Sequence, residues 1–327
     1  MAKKLKCAVI GVGKMGINHV RVYSELAGID FVAIGEVNEQ LGKEVSDQYN
    51  VKHYKDYMQM IEVEKPDIVS ICVPTSFHYK VGIDCINTKT NILLEKPIAT
   101  TVEEGKELIK SAKKNNIKLL VGHIERHNPA VKKVKELIEE GKIGKITSII
   151  ARRVGGFPYQ IRDANIMVDL AIHDIDIINY LLADTPQEVC VNRQRIHIEK
   201  REDSVEYFLK YKHASAYIQT NWITPVKIRK LNITGSEGYI QMNYITQKVE
   251  LYQSNYDKFK EESKGFSDYI LRFGATVGEE IPVEKKEPLV EEIKYFIHCV
   301  ASNKPINSEF ALEALQIALV ENTSSKI

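Results

Sequence analysis

The fold is decided by the stretch Cys7-Ala8-Val9-Ile10-Gly11-Val12-Gly13-Lys14-Met15-Gly16, an apolar run that leads directly into a Gly-x-Gly-x-x-Gly pattern. A helix-compatible segment follows, and Glu36 lies 20 residues beyond Gly16 at the end of the next apolar run. Such glycines let the backbone approach a pyrophosphate at a helix N-terminus, and the acidic residue accepts hydrogen bonds from ribose hydroxyls. The stretch predicts a dinucleotide-binding unit. The alternative is a glycine-rich turn that packs tightly and binds nothing.

Further short apolar runs follow at regular intervals up to residue 122, at 31–34, 68–73, 91–94 and 118–121. Runs without polar alternation are typical of parallel strands covered on both faces, and the segments between them are long enough for crossover helices. We therefore expect residues 1–122 to form a doubly wound α/β Rossmann domain.

The pattern changes after residue 122. A helical stretch is followed by alternating apolar and polar segments such as 207–211, 216–220 and 228–234. Alternation favours an antiparallel sheet with one face solvated or turned to a partner. Residues 123–327 are expected to form a second, α+β domain.

Composition excludes several classes of partner. Lys and Arg number 45 and Asp and Glu 44, so no global field draws the chain to nucleic acid or to a membrane surface. The five cysteines form no CxxC pair, which argues against a disulfide framework or a zinc site. No apolar run reaches the ~18 residues of a membrane span. We expect a cytoplasmic protein without a metal.

Glu36 also bears on the choice of dinucleotide. A carboxylate at this position repels a 2′-phosphate, and neither Val37 nor Asn38 supplies an arginine to bind one. The sequence favours NAD over NADP. The alternative for Glu36 is an ordinary solvated carboxylate at a strand end.

Lys96 lies within Glu95-Lys96-Pro97, directly after the apolar run 91–94. Ligands of doubly wound sheets bind beyond the carboxyl ends of the strands, so we expect Lys96 to point into the cofactor crevice. A lysine partly desolvated beside a cationic nicotinamide can join proton transfer. The alternative is a surface lysine on a loop.

One helical segment of the second domain is apolar nearly all round, yet Asp169, His173, Asp176 and Tyr180 recur on one face. Buried titratable groups must be paired or face a cavity. Asp169, one turn before His173, can orient the imidazole and stabilise its protonated form, as a general base requires when an alcohol is oxidised. The alternative is a structural network in which these polar groups pair with one another. Asp174 lies off the face that the four residues share.

Together these pieces resemble the Gfo/Idh/MocA family of NAD(P)-dependent sugar oxidoreductases over essentially the whole chain. The matching pieces are the glycine pattern, Val73-Pro74-Thr75-Ser76-Phe77-His78, Glu95-Lys96-Pro97, and the Asp169-to-His173 spacing. The resemblance implies a Rossmann domain followed by a large, open antiparallel or mixed sheet, used for homodimer or homotetramer contacts. It also implies that Lys96, Asp169 and His173 line the site beside the nicotinamide.

Segments 122–131 and 152–163 resemble the nucleotide-sugar branch of the family, UDP-N-acetylglucosamine 3-dehydrogenases in particular. Arg126, Arg153 and Arg162 are fork-shaped cations suited to a diphosphate. The alternative is that they are surface arginines or form salt bridges between subunits.

The predicted function is NAD-dependent oxidation of a secondary hydroxyl of a nucleotide sugar, at C3 of UDP-N-acetylglucosamine by the resemblance. Lys96 and His173 can exchange the role of proton acceptor. The alternatives are a dehydrogenase of a free polyol or simple sugar, and a dinucleotide-sensing regulator without turnover. His78 either contacts the cofactor ribose or caps the following helix.

The expected site residues fall into three groups. The catalytic residues are Lys96, Asp169 and His173. The cofactor-binding residues are Gly11, Gly13, Lys14, Met15, Gly16, Glu36, Pro74, Thr75, His78, Glu95 and Lys96. The substrate-binding residues are Arg126, Asn128, Arg153, Arg162 and His173.

Overall fold

The structure is a computed structural model that describes residues 4–157, 165–199, 201–254, 260–274, 277–321 and 325–326. The chain divides into two compact units. The first comprises Met1–Ile124 and Glu287–Gln316, and the second comprises Glu125–Lys286 and Ile317–Ile327.

The first unit is built on a parallel sheet of six strands in the order β3-β2-β1-β4-β5-β6. Its strands are β1 (Leu5–Ile10), β2 (Ile29–Gly35), β3 (Lys52–Tyr54), β4 (Ile68–Ile71), β5 (Asn91–Glu95) and β6 (Leu119–Gly122). The strand order reverses between β1 and β4, where doubly wound sheets open a crevice for ligands. The predicted Rossmann fold is confirmed.

Five helices of the first unit alternate with these strands. They are α1 (Gly16–Glu25), α2 (Glu39–Tyr49), α3 (Tyr57–Glu64), α4 (His78–Asn87) and α5 (Val102–Lys114). Strands β4, β5 and β6 are almost entirely buried, as their uninterrupted apolar runs predict.

The second unit contains a mixed, mostly antiparallel sheet, in which the described residues form nine strands in the order β14-β13-β12-β11-β7-β10-β9-β8-β15. The strands are β7 (Ile146–Val154), β8 (Glu188–Gln194), β9 (Ser204–Lys210), β10 (Ser215–Asn221), β11 (Ile228–Gly235), β12 (Gly238–Asn243), β13 (Lys248–Gln253), β14 (Glu279–Ile281) and β15 (Ser325–Lys326). Only the β7–β10 pair among them is parallel. The predicted class of this domain is confirmed.

Helices α6 (Pro129–Glu139) and α7 (Ile172–Leu182) lie against this sheet, and α8 (Phe266–Gly274) follows later in the chain. A π-helical turn, Met167–Ala171, leads directly into α7. Along β7, Ile149, Ala151 and Arg153 are buried while Ile150 and Arg152 are exposed, so one face of the strand is covered and the other is open.

The chain returns to the first unit through α9 (Pro288–Ala301) and most of α10 (Glu309–Ala318). Leu289, Ile293 and Phe296 of α9 join the core that contains Val20 and Tyr23 of α1. The domain boundary expected from the sequence, at residue 122, places these residues in the second domain instead. The apolar stripe of α9 shows that the helix packs against something, but it does not show which core receives it.

Candidate functional site

The glycine pattern forms the turn between β1 and α1. Gly11 has a φ of +82°, and a Cβ on Gly16 would come within 1.9 Å of the Gly11 carbonyl oxygen. These two glycines are therefore needed for the turn and for its packing. A Cβ on Gly13 would meet no atom within 4 Å, so Gly13 leaves open space above the turn.

The N-terminus of α1 has neither a side-chain cap nor an acidic residue in its first turn. By contrast, Asn38, Asp56 and Thr101 each cap their own helix by accepting from a backbone N–H. Uncapped N–H groups and the positive end of the helix dipole favour an anion. Beside the open space at Gly13, this end of α1 fits a pyrophosphate. Lys14 and Met15 are exposed at the same turn.

Glu36 directly follows β2, and its carboxylate is held by two backbone donors. Oε2 accepts from the Val12 N–H at 2.9 Å and Oε1 accepts from the Asn38 N–H at 2.9 Å. Each oxygen keeps a second lone pair. The carboxylate is thus oriented beside the glycine turn in a way that fits a ribose diol.

Glu95 ends β5, and its carboxylate is buried. Oε1 lies 3.0 Å from Nε2 of His19, and Oε2 accepts from the Lys96 N–H at 3.2 Å. Burial alone raises the pKa of Glu95, but the hydrogen bond and charge of His19, together with Lys96, lower it overall. The hydrogen bonds continue from His19 Nδ1 to Ser70 Oγ at 3.1 Å, and from Ser70 Oγ to the Tyr23 hydroxyl at 2.9 Å. Sequence analysis missed His19, whose only signal is its place one turn beyond Gly16.

Lys96 is half-buried, and the Lys96–Pro97 peptide is cis. His78, the first residue of α4, is buried and holds this segment in place. Its Nδ1 lies 2.7 Å from the Pro97 carbonyl oxygen and its Nε2 lies 3.0 Å from the Val73 carbonyl oxygen. Burial lowers the pKa of His78 overall, against the two carbonyl contacts. Both ring nitrogens face backbone carbonyls, which is neither of the roles expected from the sequence. Nearby Pro74 is exposed and Thr75 is half-buried.

Asp169 and His173 lie on either side of the junction between the π-helical turn and α7. The Ile172 N–H reaches the Met167 carbonyl, which is the wide i→i+5 bond of a π turn, and the Asp169 N–H donates to the Asn165 carbonyl at 2.9 Å. Both side chains are half-buried. Such π turns often occur at functional sites.

Arg153 does not lie in a solvent-facing loop but at the end of β7, with 5% of its surface exposed. Its Nε and Nη2 donate to the two oxygens of Asp174 at 2.7 and 3.0 Å, and its Nη1 donates to Glu125 at 3.0 Å. Burial lowers the pKa of Arg153, but the two carboxylates raise it overall. The guanidinium also lies over the Tyr244 ring.

Arg126 and Asn128 also bind protein groups. Arg126 donates through Nε and Nη2 to Asp176, which is 1% exposed. Asn128 caps α6 by accepting from the Ala130 N–H at 3.1 Å. These contacts give Arg126 and Asn128 structural roles in the second unit, and their role in binding substrate stays a prediction. Arg162 lies outside the described residues.

Arg229 is a cation of this region that sequence analysis missed. It is the second residue of β11 and lies directly opposite Arg153 of β7. Burial and the charge of Arg153 lower its pKa to about 10, although Asp174, Glu125 and Asp169 act in the opposite direction. The alternating pattern of β11 shows that Arg229 shares a face with Leu231 but not that this face is covered.

The fold of the first unit, together with its glycine turn, defines a dinucleotide-binding protein of the Rossmann type. Residues 5–123 match the model of an oxidoreductase family with an NAD-binding Rossmann fold, Gfo/Idh/MocA, and residues 131–241 match the model of the C-terminal domain of that family. The chain belongs to the Gfo/Idh/MocA family and is an oxidoreductase. Among the described residues, no helix is long and apolar enough to cross a membrane.

Two curated relatives differ in their named substrates. Myo-inositol 2-dehydrogenase of Thermotoga maritima is 26% identical over 92% of this chain and 90% of its own. UDP-N-acetylglucosamine 3-dehydrogenase of Acidithiobacillus ferrooxidans is 22% identical over 92% of this chain and 90% of its own. A solved structure of the latter enzyme aligns with a TM-score of 0.83 at 21% identity, covering 97% of this chain and 96% of its own. This similarity supports the fold.

Proposed function

We propose that this oxidoreductase uses NAD to oxidise a secondary hydroxyl group of a nucleotide sugar. The observation that carries the proposal is the uncapped N-terminus of α1 beside Gly13, with the oriented carboxylate of Glu36 next to it. These groups would hold the pyrophosphate and the adenosine ribose of a dinucleotide. When bound, the nicotinamide accepts a hydride from the carbinol carbon.

The choice of NAD over NADP rests on Glu36. Its two oxygens already accept from Val12 and Asn38, which fixes a negative charge where a 2′-phosphate would have to lie. The exposed side chain of Val37 offers no compensating cation. The expected result is a much lower KM for NAD than for NADP.

We assign the chemistry at the hydroxyl group to the three catalytic residues that the sequence predicts. His173 accepts the hydroxyl proton, Asp169 orients the imidazole and stabilises its charged form, and Lys96 hydrogen-bonds the oxygen where negative charge develops. The half-buried state of all three side chains supports this assignment, because it allows contact with a ligand while limiting water. Glu95 accepts from the backbone N–H of Lys96, and His78 contacts the carbonyl of the next residue, Pro97, so both help to position Lys96.

The proposed substrate is UDP-N-acetylglucosamine, oxidised at C3, in line with the similarity to the Acidithiobacillus ferrooxidans enzyme. A second candidate is a free polyol such as an inositol. It is favoured by the higher identity to myo-inositol 2-dehydrogenase and by the carboxylates that already bind Arg126 and Arg153. Both candidates use the same three catalytic residues.

One assay separates these candidates. Reduction of NAD and of NADP is followed by absorbance with UDP-sugars, sugar phosphates, inositols and free hexoses as substrates. The proposal expects the highest kcat/KM with NAD and a UDP-sugar. Turnover of uncharged polyols alone would overturn the substrate assignment, and no reduction with any member of the panel would overturn the dehydrogenase assignment.

We also propose that a second copy of the chain packs on the open face of the second sheet. Phe208, Tyr217 and Ile150 lie side by side on β9, β10 and β7, and Phe208 and Ile150 are 50% and 43% exposed. An apolar row of this kind favours a homo-oligomer. Light scattering after gel filtration should give a dimer or tetramer, and Phe208→Lys should shift it toward the monomer.

A further inference from the structure

Arg229 lies on the covered face of the second sheet. It pairs with Arg153 across β11 and β7, and Leu231 and Ile233, the next residues on its face, are fully buried. Lys230 and its cross-strand partner Arg152 point to the opposite, open face. Arg229, Leu231 and Ile233 therefore form one row along the covered face of β11, and Arg229 lies at the end of this row.

The guanidinium of Arg229 is held from one side only. Its Nη1 donates to the Val154 carbonyl at 2.7 Å and to the Ile228 carbonyl at 2.9 Å. Among the described residues no carboxylate lies within 4.0 Å of Arg229, and no hydrogen bond is made by Nε or Nη2. Two carbonyl contacts thus fix the plane of the fork and leave its other edge unused.

The unused edge is the one that binds anions elsewhere in this unit. Arg126 grips Asp176 through Nε and Nη2, and Arg153 grips Asp174 through the same pair of atoms. This edge presents two parallel N–H groups that match a carboxylate or phosphate. In Arg229 it is oriented, and no residue that the structure describes forms a hydrogen bond with it.

The surroundings of Arg229 favour an incoming anion. Burial removes water from the guanidinium, and the adjacent charge of Arg153 disfavours it further, so its pKa falls to about 10. An anion bound there would relieve both costs. Asp169 is one of the charges that acts on Arg229, which places the guanidinium near the predicted catalytic segment.

We propose that Arg229 is a substrate-binding residue that receives an anionic group of the substrate through Nε and Nη2. The inference rests on the proposed function and adds to it the substrate class: a sugar that carries a phosphate or a carboxylate. The phosphate would come from a nucleotide sugar, and the carboxylate from a sugar acid.

The test compares Arg229→Gln with Arg152→Gln in the full-length protein saturated with NAD. Arg152 is the matched control, because it lies next to Arg153 on the exposed face and contacts Gln219. Arg229→Gln should raise KM for the anionic substrate about 10- to 100-fold, since a charged hydrogen-bonded contact is worth about 1.5–3 kcal/mol. The value of kcat should change by less than about threefold, and KM should be unchanged in Arg152→Gln.

Four ligands identify the anionic group: a UDP-sugar, free UDP, glucuronate and a neutral hexose. A KM or inhibition constant that rises only for the UDP compounds assigns a phosphate, and one that rises only for glucuronate assigns a carboxylate. Arg229→Lys, which keeps the charge but not the fork, should recover part of the loss and shows that folding is not the cause. An unchanged affinity for every anionic ligand would overturn the proposal.

A direct binding measurement keeps this test apart from the test of turnover. Wild type and Arg229→Gln are titrated with UDP and with glucuronate in the calorimeter. Weaker binding by the variant supports Arg229 even where the sugar panel gives no reduction of NAD. Equal binding, or no binding of either ligand to the wild type, counts against Arg229 and leaves the dehydrogenase assignment to the turnover assay.

Discussion

Glu292 is a fully buried carboxyl group on α9. Its exposure is 0%, and neither oxygen has a hydrogen-bond partner among the described residues. Burial raises the pKa of Glu292 well above its usual value, and the charge of Glu95 raises it further. We therefore expect Glu292 to be protonated in the folded protein at neutral pH, and the stability of the protein to fall as the pH rises.

The sign follows from proton linkage. Below the unfolded-state pKa of about 4.3, both states hold the proton and Glu292 adds no pH dependence. Above it, only the folded state keeps the proton, so the free energy of unfolding falls by about 1.4 kcal/mol for each pH unit until the raised folded-state pKa is passed. Between pH 5.5 and 7.5 the contribution of Glu292 is thus a loss of stability, whose upper limit for one proton over two pH units is about 3 kcal/mol.

Glu292→Gln removes this titration with little change of shape. The difference in unfolding free energy between variant and wild type should move in favour of the variant from pH 5.5 to pH 7.5, by up to about 3 kcal/mol. Urea unfolding is followed by circular dichroism, because the single tryptophan, Trp222, reports only on the second unit. Groups that titrate in both proteins cancel in the difference.

The matched control is Glu291→Gln. Glu291 is the neighbouring residue, but its side chain is 23% exposed and lies 3.7 Å from Lys294. Its substitution should change the same difference by less than about 0.5 kcal/mol. A Glu292→Gln difference that does not vary with pH would mean that the folded state holds Glu292 ionised, and the reasoning from burial would be refuted.

Three further substitutions test the site and its frame. Gly13→Val should raise the Kd for NADH about tenfold or more in a fluorescence titration and leave the unfolding midpoint unchanged, because a Cβ at this position meets no described protein atom within 4 Å and the valine would fill the pyrophosphate space. Arg153→Met should cost about 3–5 kcal/mol in urea unfolding, because Asp174 would stay buried without its partner, and a cost below about 1 kcal/mol would contradict this. Lys96→Met should lower kcat about 10²- to 10⁴-fold at an unchanged KM for NAD. Full activity of this variant would contradict a catalytic role for Lys96.

The first unit was predictable because its strands are covered on both faces. Buried parallel strands have no polar positions, so their apolar runs stand out in the sequence, and the glycine pattern fixes which turn meets the ligand. By contrast, the sequence could not predict that α9 packs against the core of the first unit. Leu289, Ile293 and Phe296 mark an apolar stripe, yet a stripe carries no information about which of two cores it joins.

The substrate arginines show a different limit of sequence reasoning. The charge of Arg126 and Arg153, and their place in the sequence near Asp169 and His173, predict that they bind substrate. In the structure both bind carboxylates of α7, Asp176 and Asp174 respectively. The sequence shows which side chains are charged but not which charges neutralise one another after folding. Asp174, which lies off the predicted stripe, is the partner of Arg153 for this reason.

These ion pairs also explain how the π turn and α7 can position the side chains of an active site. Asp174 and Asp176 are both nearly inaccessible, and each is held by two N–H donors of one arginine. They bind α7 to β7 and to the segment before α6, so the helix is fixed in position. Of the acidic and histidine side chains between residues 167 and 182, Asp169 and His173 are then the two that are only half-buried. The two ion pairs hold α7 rigidly, and Asp169 and His173 lie at the π turn where α7 begins. A base and the carboxylate that orients it require such a rigid support.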